Sequence, residues 1–135
     1  MASRQRTLEQ ERGNHAWQKV SDIQDKSFRT EYRALVRKLP SHIMLTGLGQ
    51  TLAFLQAKAG SGSNEHHALE RHLSEWVVQE LTGKALKESG YSSLLLWILN
   101  AQRTTDDYRR ATSETLAYVA WLKRFAEALI PENSL

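Results

Sequence analysis

The chain has 135 residues, with 18 Lys and Arg against 15 Asp and Glu, and it contains no cysteine. That length is enough for one domain with its own hydrophobic core. A sequence without cysteine excludes disulfides, thiolate metal sites and a cysteine nucleophile. The net charge of +3 is too small to indicate a nucleic-acid partner by itself, so the placement of the charges has to carry that inference.

The composition favours helix, because Ala, Leu, Glu, Gln, Lys and Arg are abundant and there are only two prolines. We predict an all-α fold, a single compact bundle of about five to six helices that spans residues 1–135 as one domain. The segment GSGSN predicts a flexible loop near 60–64. No apolar run approaches the roughly 20 residues of a membrane span, and no signal peptide is recognisable, so we expect a cytoplasmic protein.

The first helix is predicted from about Thr7 to Gln24. Its apolar side consists of Ala16, Trp17, Val20 and Ile23, and its mostly external charged residues are Glu9, Glu11, Arg12 and Lys19. The next segment, KSFRTEYRALVRK from Lys26 to Lys38, predicts a helix whose charges and apolar side chains lie on opposite sides. The apolar face is Phe28, Tyr32, Leu35, Val36 and Leu39. The cations of the other edge form one stripe: Lys26, Arg29, Arg33 and Arg37.

Pro40 disfavours helical dihedrals in the residue before it, which predicts a break at KLPS and a third helix that begins at Pro40 or Ser41. The apolar side of this helix is predicted as Ile43, Met44, Leu48, Thr51, Leu52 and Leu55, with Phe54 toward a flank. Gly47 and Gly49 fall in its interior, where each glycine costs roughly 1 kcal/mol. They indicate a close approach by another helix or by a nucleic-acid backbone, and both alternatives stay open.

After the loop, a fourth helix is predicted from about Glu65 to Leu81, closed by Thr82 and Gly83. The segment SLLLWILN is apolar all round, so we expect it at the centre of the core. The last helix is predicted from Thr104 or Thr105 to about Leu129. Its three-four repeat forms a buried seam of Tyr108, Ala111, Thr115, Tyr118, Val119, Leu122, Phe125, Ala126 and Leu129.

No pattern in the sequence indicates catalysis, a metal or a cofactor. The spacing of His66, His67 and His72 does not match a His-Glu-x-x-His site, and we interpret all three as solvated surface residues. GLGQTL lacks the lysine and spacing of a phosphate-binding loop. Asp106 and Asp107 suit the positive end of a helix. Among the four tryptophans, Trp121 projects off its seam and is the best candidate for a protein contact.

Three segments together resemble the small helical subunit of type III-B CRISPR effector complexes, the Cmr complexes: TLEQERGNHAWQKV, YRALVRKLPSHIMLTGLGQTLAFLQAK and YRRATSETLAYVAWLKRFAEAL. The resemblance implies a non-catalytic, all-helical protein that stacks as a short filament along a guide-RNA complex. The implied partners are other Cmr subunits, copies of the chain itself, guide RNA and target RNA. It implies neither a membrane nor a small-molecule substrate.

Helix geometry, rather than a family motif, assigns the RNA-binding residues. They are predicted to be Lys26, Arg29, Arg33, Arg37, Lys38, Gln50 and Lys58, with Gln50 able to hydrogen-bond ribose or phosphate. The simplest alternative is a solvated charged face. Three others remain: an assembly subunit whose stripe docks on acidic protein, a stand-alone binder of double-stranded nucleic acid, and a hydrolase built from scattered carboxylates and histidines.

Overall fold

A computed structural model describes residues 4–132 of the chain, with side chains from residue 7 onward. Over that range the chain forms helices and no strand, which confirms the predicted all-α bundle. The helices are α1 (Arg4–Ile23), α2 (Arg29–Thr46), α3 (Leu48–Ala59), α4 (Glu65–Thr82), α5 (Leu94–Leu99) and α6 (Thr105–Leu129), with a 3₁₀ turn at Leu86–Glu88.

The longest helix, α6, packs against α1, α2 and α4 and organises the bundle. α1 runs parallel to α6. Arg12 contacts Glu114 in the first half of both helices, and Gln24, just after α1, donates to the Leu129 carbonyl at the end of α6. The six predicted seam residues that become fully buried are Ala111, Thr115, Tyr118, Val119, Leu122 and Ala126. The seam prediction is therefore confirmed along most of α6, although Tyr108 at its start is exposed.

α2 runs antiparallel to α6. Arg33, in the first half of α2, lies beside Glu132 just past the end of α6. At the other end, the Gly49 N–H after the α2–α3 corner donates to the Tyr108 hydroxyl in the first turns of α6 (2.9 Å). The predicted apolar face of α2 is confirmed, since Tyr32, Val36 and Leu39 are buried and Phe28 and Leu35 pack against the core.

The predicted break at KLPS is wrong. α2 continues through Pro40 to Thr46, so the third helix does not begin at Pro40 or Ser41 but at Leu48. Continuing the helix keeps Leu39 and Ile43 on the face that already buries Tyr32 and Val36, and this burial offsets the hydrogen bond that proline cannot make. The break occurs at Gly47, whose φ of +89° and ψ of 160° are nearly exclusive to glycine.

Lys26 does not lie on α2, which corrects the four-residue stripe. It is part of the turn between Ile23 and Arg29, where its N–H donates to the Ile23 carbonyl (3.0 Å). The physical reason is the direction of the helices. Because α1 is parallel to α6 and α2 is antiparallel to α6, the chain has to reverse between α1 and α2. Lys26 lies in that reversal.

Several apolar side chains predicted to be buried are exposed. Met44, predicted on the apolar side of its helix, is 73% exposed near the end of α2, and its neighbour Leu45, which was not part of that prediction, is 84% exposed. The α5 segment is not the centre of the core. Its Leu94, Trp97 and Ile98 are buried, whereas Leu96 and Leu99 face outward.

Glu114 is a buried carboxylate that joins three helices. It accepts from Arg12 Nε (2.6 Å) and Nη2 (2.8 Å) on α1 and from Trp76 Nε1 (2.8 Å) on α4. The hydrogen bonds to Glu114 raise the pKa of Arg12. Arg12 is consequently half-buried and not an external residue as predicted, because its guanidinium is needed to neutralise a carboxylate inside the bundle.

His72 is also misplaced by the sequence prediction, which put it on the surface. It is buried on α4 and hydrogen-bonded through Nδ1 to the Tyr32 hydroxyl of α2 (2.7 Å). His15 makes the equivalent bond to the Tyr118 hydroxyl. Burial lowers the pKa of His72 from 6.5 to about 3 and that of His15 to about 4. Both imidazoles are therefore neutral partners of tyrosines in the folded chain.

The start of α6 and both ends of α4 follow the sequence signals closely. Thr104 and Asp107 form a capping box at the start of α6. Asn64, the last residue of the predicted loop, accepts the His67 N–H and begins α4, and Gly83 ends α4 in the left-handed conformation. Within residues 4–132, none of the helices combines the length and apolarity needed to cross a bilayer.

The corner at Gly47 yields a stability prediction. Gly47→Ala should lower the free energy of unfolding by about 2 kcal/mol. The backbone conformation at this position is strained for a residue that carries a Cβ, and the added Cβ would lie 3.3 Å from the Tyr108 hydroxyl. Gly49→Ala is the matched control and should be nearly neutral, since its Cβ would meet the same hydroxyl at an ordinary 3.5 Å. Urea denaturation measures both, and equal losses would contradict the assignment of the corner.

The buried histidines predict acid sensitivity. The folded-state pKa of His72 is below the unfolded value of 6.5, so the unfolded chain binds the proton and stability falls as the pH drops from about 6.5 toward 4. Protonation of His72 lowers the free energy of unfolding by about 1.4 kcal/mol for each pH unit in this range, and less-buried His15 adds a smaller decrease. Urea titrations at several pH values should show that the free energy of unfolding of His72→Gln depends less steeply on pH than that of the parent. The exposed control His67→Gln should keep the pH dependence of the parent. The parent's pH dependence in both variants would contradict this account.

Candidate nucleic-acid interface

Three of the predicted cations form one continuous edge of α2. Arg29, Arg33 and Arg37 are spaced four residues apart, so each is displaced about 6 Å along the helix axis and about 40° around it from the one before. We call these three residues the arginine ridge. Each guanidinium group is planar and has five N–H donors, a geometry that suits paired hydrogen bonds to phosphate oxygens.

The members of the ridge differ in exposure. Arg29 is exposed, and its Nη1 donates to the carbonyl of Gln24, the first residue of the α1–α2 turn (3.1 Å). The Arg37 side chain is 63% exposed, whereas that of Arg33 is only 18% exposed. Arg33 is therefore anchored against the protein while its neighbours on either side extend into solvent.

Glu132 lies between two ridge members. Its Oε1 is 3.3 Å from Arg33 Nη1 and 3.5 Å from Arg37 Nη1, and 68% of its side chain is exposed. Arg33 Nε is buried and has no hydrogen-bond partner among the described residues. The ridge consequently carries three positive charges and one adjacent negative charge. Sequence reasoning missed Glu132 because its partners are 99 and 95 residues away, and no local pattern indicates such a pair.

The other predicted contacts are not gathered on the ridge. Lys26 lines a hollow of about 610 Å³ between the α1–α2 turn and the loop at 61–64, together with Asp22 and Phe28. Lys38 is exposed but lies about 100° from Arg37 around α2. It therefore points away from the line of the three arginines.

Gln50 and Lys58 are exposed on α3, on a different side of the bundle. α3 meets α2 through His42, which is hydrogen-bonded to the Thr51 hydroxyl (2.9 Å). His42 is nine residues from Arg33, which is about half a turn around α2. The fold therefore separates Gln50 and Lys58 from the arginine ridge.

The two glycines contact protein. Gly47 forms the α2–α3 corner, and Gly49 in the first turn of α3 donates its N–H to Tyr108. Of the two alternatives left open by the sequence, close helix packing is the one seen for both residues. Trp121 likewise packs on Gly13 of α1, and its ring lies against Phe125, so part of this predicted contact residue is covered within the chain.

The histidines of the described chain do not gather into a metal site. No group of three or more His, Asp or Glu side chains there could hold a metal ion. His66 lies beside Glu65 (3.6 Å) and edge-on to Phe54, with no third ligand. The ridge itself is an electrostatic feature: three guanidinium groups along one helix edge, with Glu132 beside two of them.

Comparisons with known proteins identify the family of the chain. The profile of a family described as CRISPR-associated protein (Cas_Cmr5) matches residues 8–129. The chain is 35% identical over 127 residues to the CRISPR system Cmr subunit Cmr5 of Thermus thermophilus, covering 94% of this chain and 99% of that protein. A crystal structure of a Cmr5 family protein from the same species superposes with a TM-score of 0.70 at 33% identity, covering 97% of this chain and 100% of that one. The chain therefore belongs to the Cmr5 family of CRISPR-associated proteins.

Proposed function

We propose that the chain is a non-catalytic subunit of a cytoplasmic type III-B Cmr ribonucleoprotein in antiviral defence, and that its arginine ridge contacts the phosphate backbone of guide or target RNA. The observation that carries the proposal is the alignment of Arg29, Arg33 and Arg37 on one edge of α2. Family membership supplies the context of the complex.

The physical case for RNA is the match between a repeating cation and a repeating anion. Successive ridge arginines are about 6 Å apart along a rigid helix, so one strand can meet several of them at once. Each neutralised phosphate releases counterions, which makes binding depend on salt and not on base sequence. This role suits a complex in which base pairing with a guide reads the sequence.

The exposed apolar side chains support contacts with neighbouring subunits, including copies of this chain stacked in a filament. Met44 and Leu45 lie together at the end of α2, and Leu96 and Leu99 share the outer side of α5. Leaving such large apolar side chains in water loses the free energy that burial against a partner recovers.

One observation favours a second candidate function, in which the ridge docks on an acidic patch of a neighbouring protein. Glu132 already pairs with Arg33 and Arg37, which means that a protein carboxylate fits the ridge. This alternative predicts that the ridge faces protein in the assembled complex, and it is tested by the same variants.

Replacing Arg29, Arg33 and Arg37 together by Gln should weaken RNA binding by the assembled complex. Because the variant removes three cations that each neutralise a phosphate of a single strand, the slope of log K against log salt should become shallower by about 2. The triple variant Arg109→Gln, Arg110→Gln, Arg124→Gln is the matched control, because it removes the same charge from exposed positions of α6. Filter binding at several salt concentrations measures both, and equal effects would contradict a role specific to the ridge.

Met44→Gln with Leu45→Gln should reduce co-assembly with the other Cmr subunits by about tenfold or more, because it places polar groups on the exposed apolar end of α2. The thermal unfolding midpoint should not change, since neither side chain is buried. Ala53→Gln, on the exposed side of α3, is the control. Co-purification with normal yield from the Met44 and Leu45 variant would exclude this surface from assembly.

A further inference from the structure

We infer that Glu132 is an internal stand-in for an RNA phosphate: its carboxylate occupies the phosphate site between Arg33 and Arg37 and is displaced when a polynucleotide binds. The inference rests on the proposed function. It adds one specific phosphate site, at which the Glu132 carboxylate competes with the RNA. It starts from the two distances of 3.3 and 3.5 Å that connect Glu132 Oε1 to the two guanidinium groups.

A carboxylate and a phosphodiester present the same chemistry to these arginines. Each carries one negative charge spread over two oxygens, and each can accept from two guanidinium groups at once. Glu132 contacts both arginines through a single oxygen and through one nitrogen of each. The site therefore has the charge and the donors for an anion of this size, and Glu132 satisfies only part of them.

Arg33 Nε is a donor of the same guanidinium group that Glu132 leaves without a partner. This nitrogen is buried and has no hydrogen-bond partner among the described residues, although its guanidinium is already paired through Nη1. An unpaired buried donor on a charged group is costly. A phosphodiester that replaces Glu132 with one oxygen at Nη1 and the other at Nε would remove that cost, whereas Glu132 contacts Arg33 through Nη1 alone.

The chain around Glu132 allows it to leave without disturbing the bundle. Ile130 is buried and fixes the end of α6, Pro131 is exposed, and Glu132 comes after both with most of its side chain in solvent. Moving Glu132 away from the ridge breaks two ion pairs in which its carboxylate side chain is 68% exposed, so water and salt screen both pairs. No buried contact of the described residues has to be broken.

This arrangement selects polyanions over single anions. An isolated phosphate has to replace a carboxylate that its own chain holds at high effective concentration, and it gains contacts with no other member of the ridge. A polynucleotide also reaches Arg29, which has no carboxylate partner in the described chain and pairs only with the Gln24 carbonyl. Only a ligand with several linked phosphates recovers enough interaction to displace Glu132.

The test uses NMR of the arginine Nε–H resonances in the full chain, with inorganic phosphate and a short oligouridylate as probes. In the parent protein, oligouridylate should shift Arg33 and Arg37, and phosphate should not. In Glu132→Gln, phosphate should shift both, and oligouridylate should bind about three- to tenfold more tightly. Glu127→Gln is the control, because it removes an exposed carboxylate paired with Arg124 and leaves the ridge intact; its affinity should stay within about twofold of the parent.

The other outcomes separate the two levels of the proposal. If oligouridylate shifts the ridge resonances but Glu132→Gln and Glu127→Gln titrate alike, the stand-in role is wrong and ridge binding of RNA stands. If oligouridylate shifts neither Arg33 nor Arg37 in any variant, the proposed RNA contact itself is wrong. If polyglutamate shifts them and oligouridylate does not, the site takes carboxylates of a protein partner, and the RNA assignment is overturned.

Discussion

The antiparallel packing of α2 on α6 is the constraint on which the candidate interface depends. It buries Tyr32, Val36 and Leu39 and thereby turns the opposite edge of α2, with its arginines, toward the outside. The same packing brings the residue after α6 next to the ridge, which is why Glu132 meets Arg33. Reversing the direction of α2 would place its other end, with the exposed Met44 and Leu45, beside the end of α6.

Buried polar side chains specify this packing more narrowly than the apolar residues do. Glu114 has satisfied partners only when α1, α4 and α6 are in one register, because Arg12 and Trp76 come from two different helices. The Tyr32–His72 bond imposes the same condition on α2 and α4. Apolar contacts tolerate small sliding, whereas an unpaired buried carboxylate or imidazole is costly, so these bonds select one arrangement.

Much of the fold could be predicted from the sequence, because apolar periodicity and cap residues are local signals. α1, α4 and α6 end within a few residues of their predicted limits, and the capping box at Thr104 and the glycine at Gly83 act as expected. Pro40 misled the prediction because its local penalty is outweighed by burial of residues on either side.

The site was only partly predictable. Periodicity aligned Arg29, Arg33 and Arg37 on one edge of α2, but it extended their line to Lys26, where the chain reverses, and gave no relation to Gln50 and Lys58. The signals that were missed are non-local. Glu132 lies almost a hundred residues from its partners. Glu114 and Arg12 are separated by 102 residues, and only the assembled bundle reveals which charges pair.

The most direct measurement is site-specific photocrosslinking in the assembled Cmr complex with labelled guide and target RNA. A photoreactive residue at Ser41, which is exposed on α2 and four residues after Arg37 on the same edge, reports what covers the ridge, and the same residue at exposed Ala57 on α3 is the reference. This account predicts RNA crosslinks from position 41 that exceed those from position 57. Crosslinks from position 41 to protein alone would contradict it.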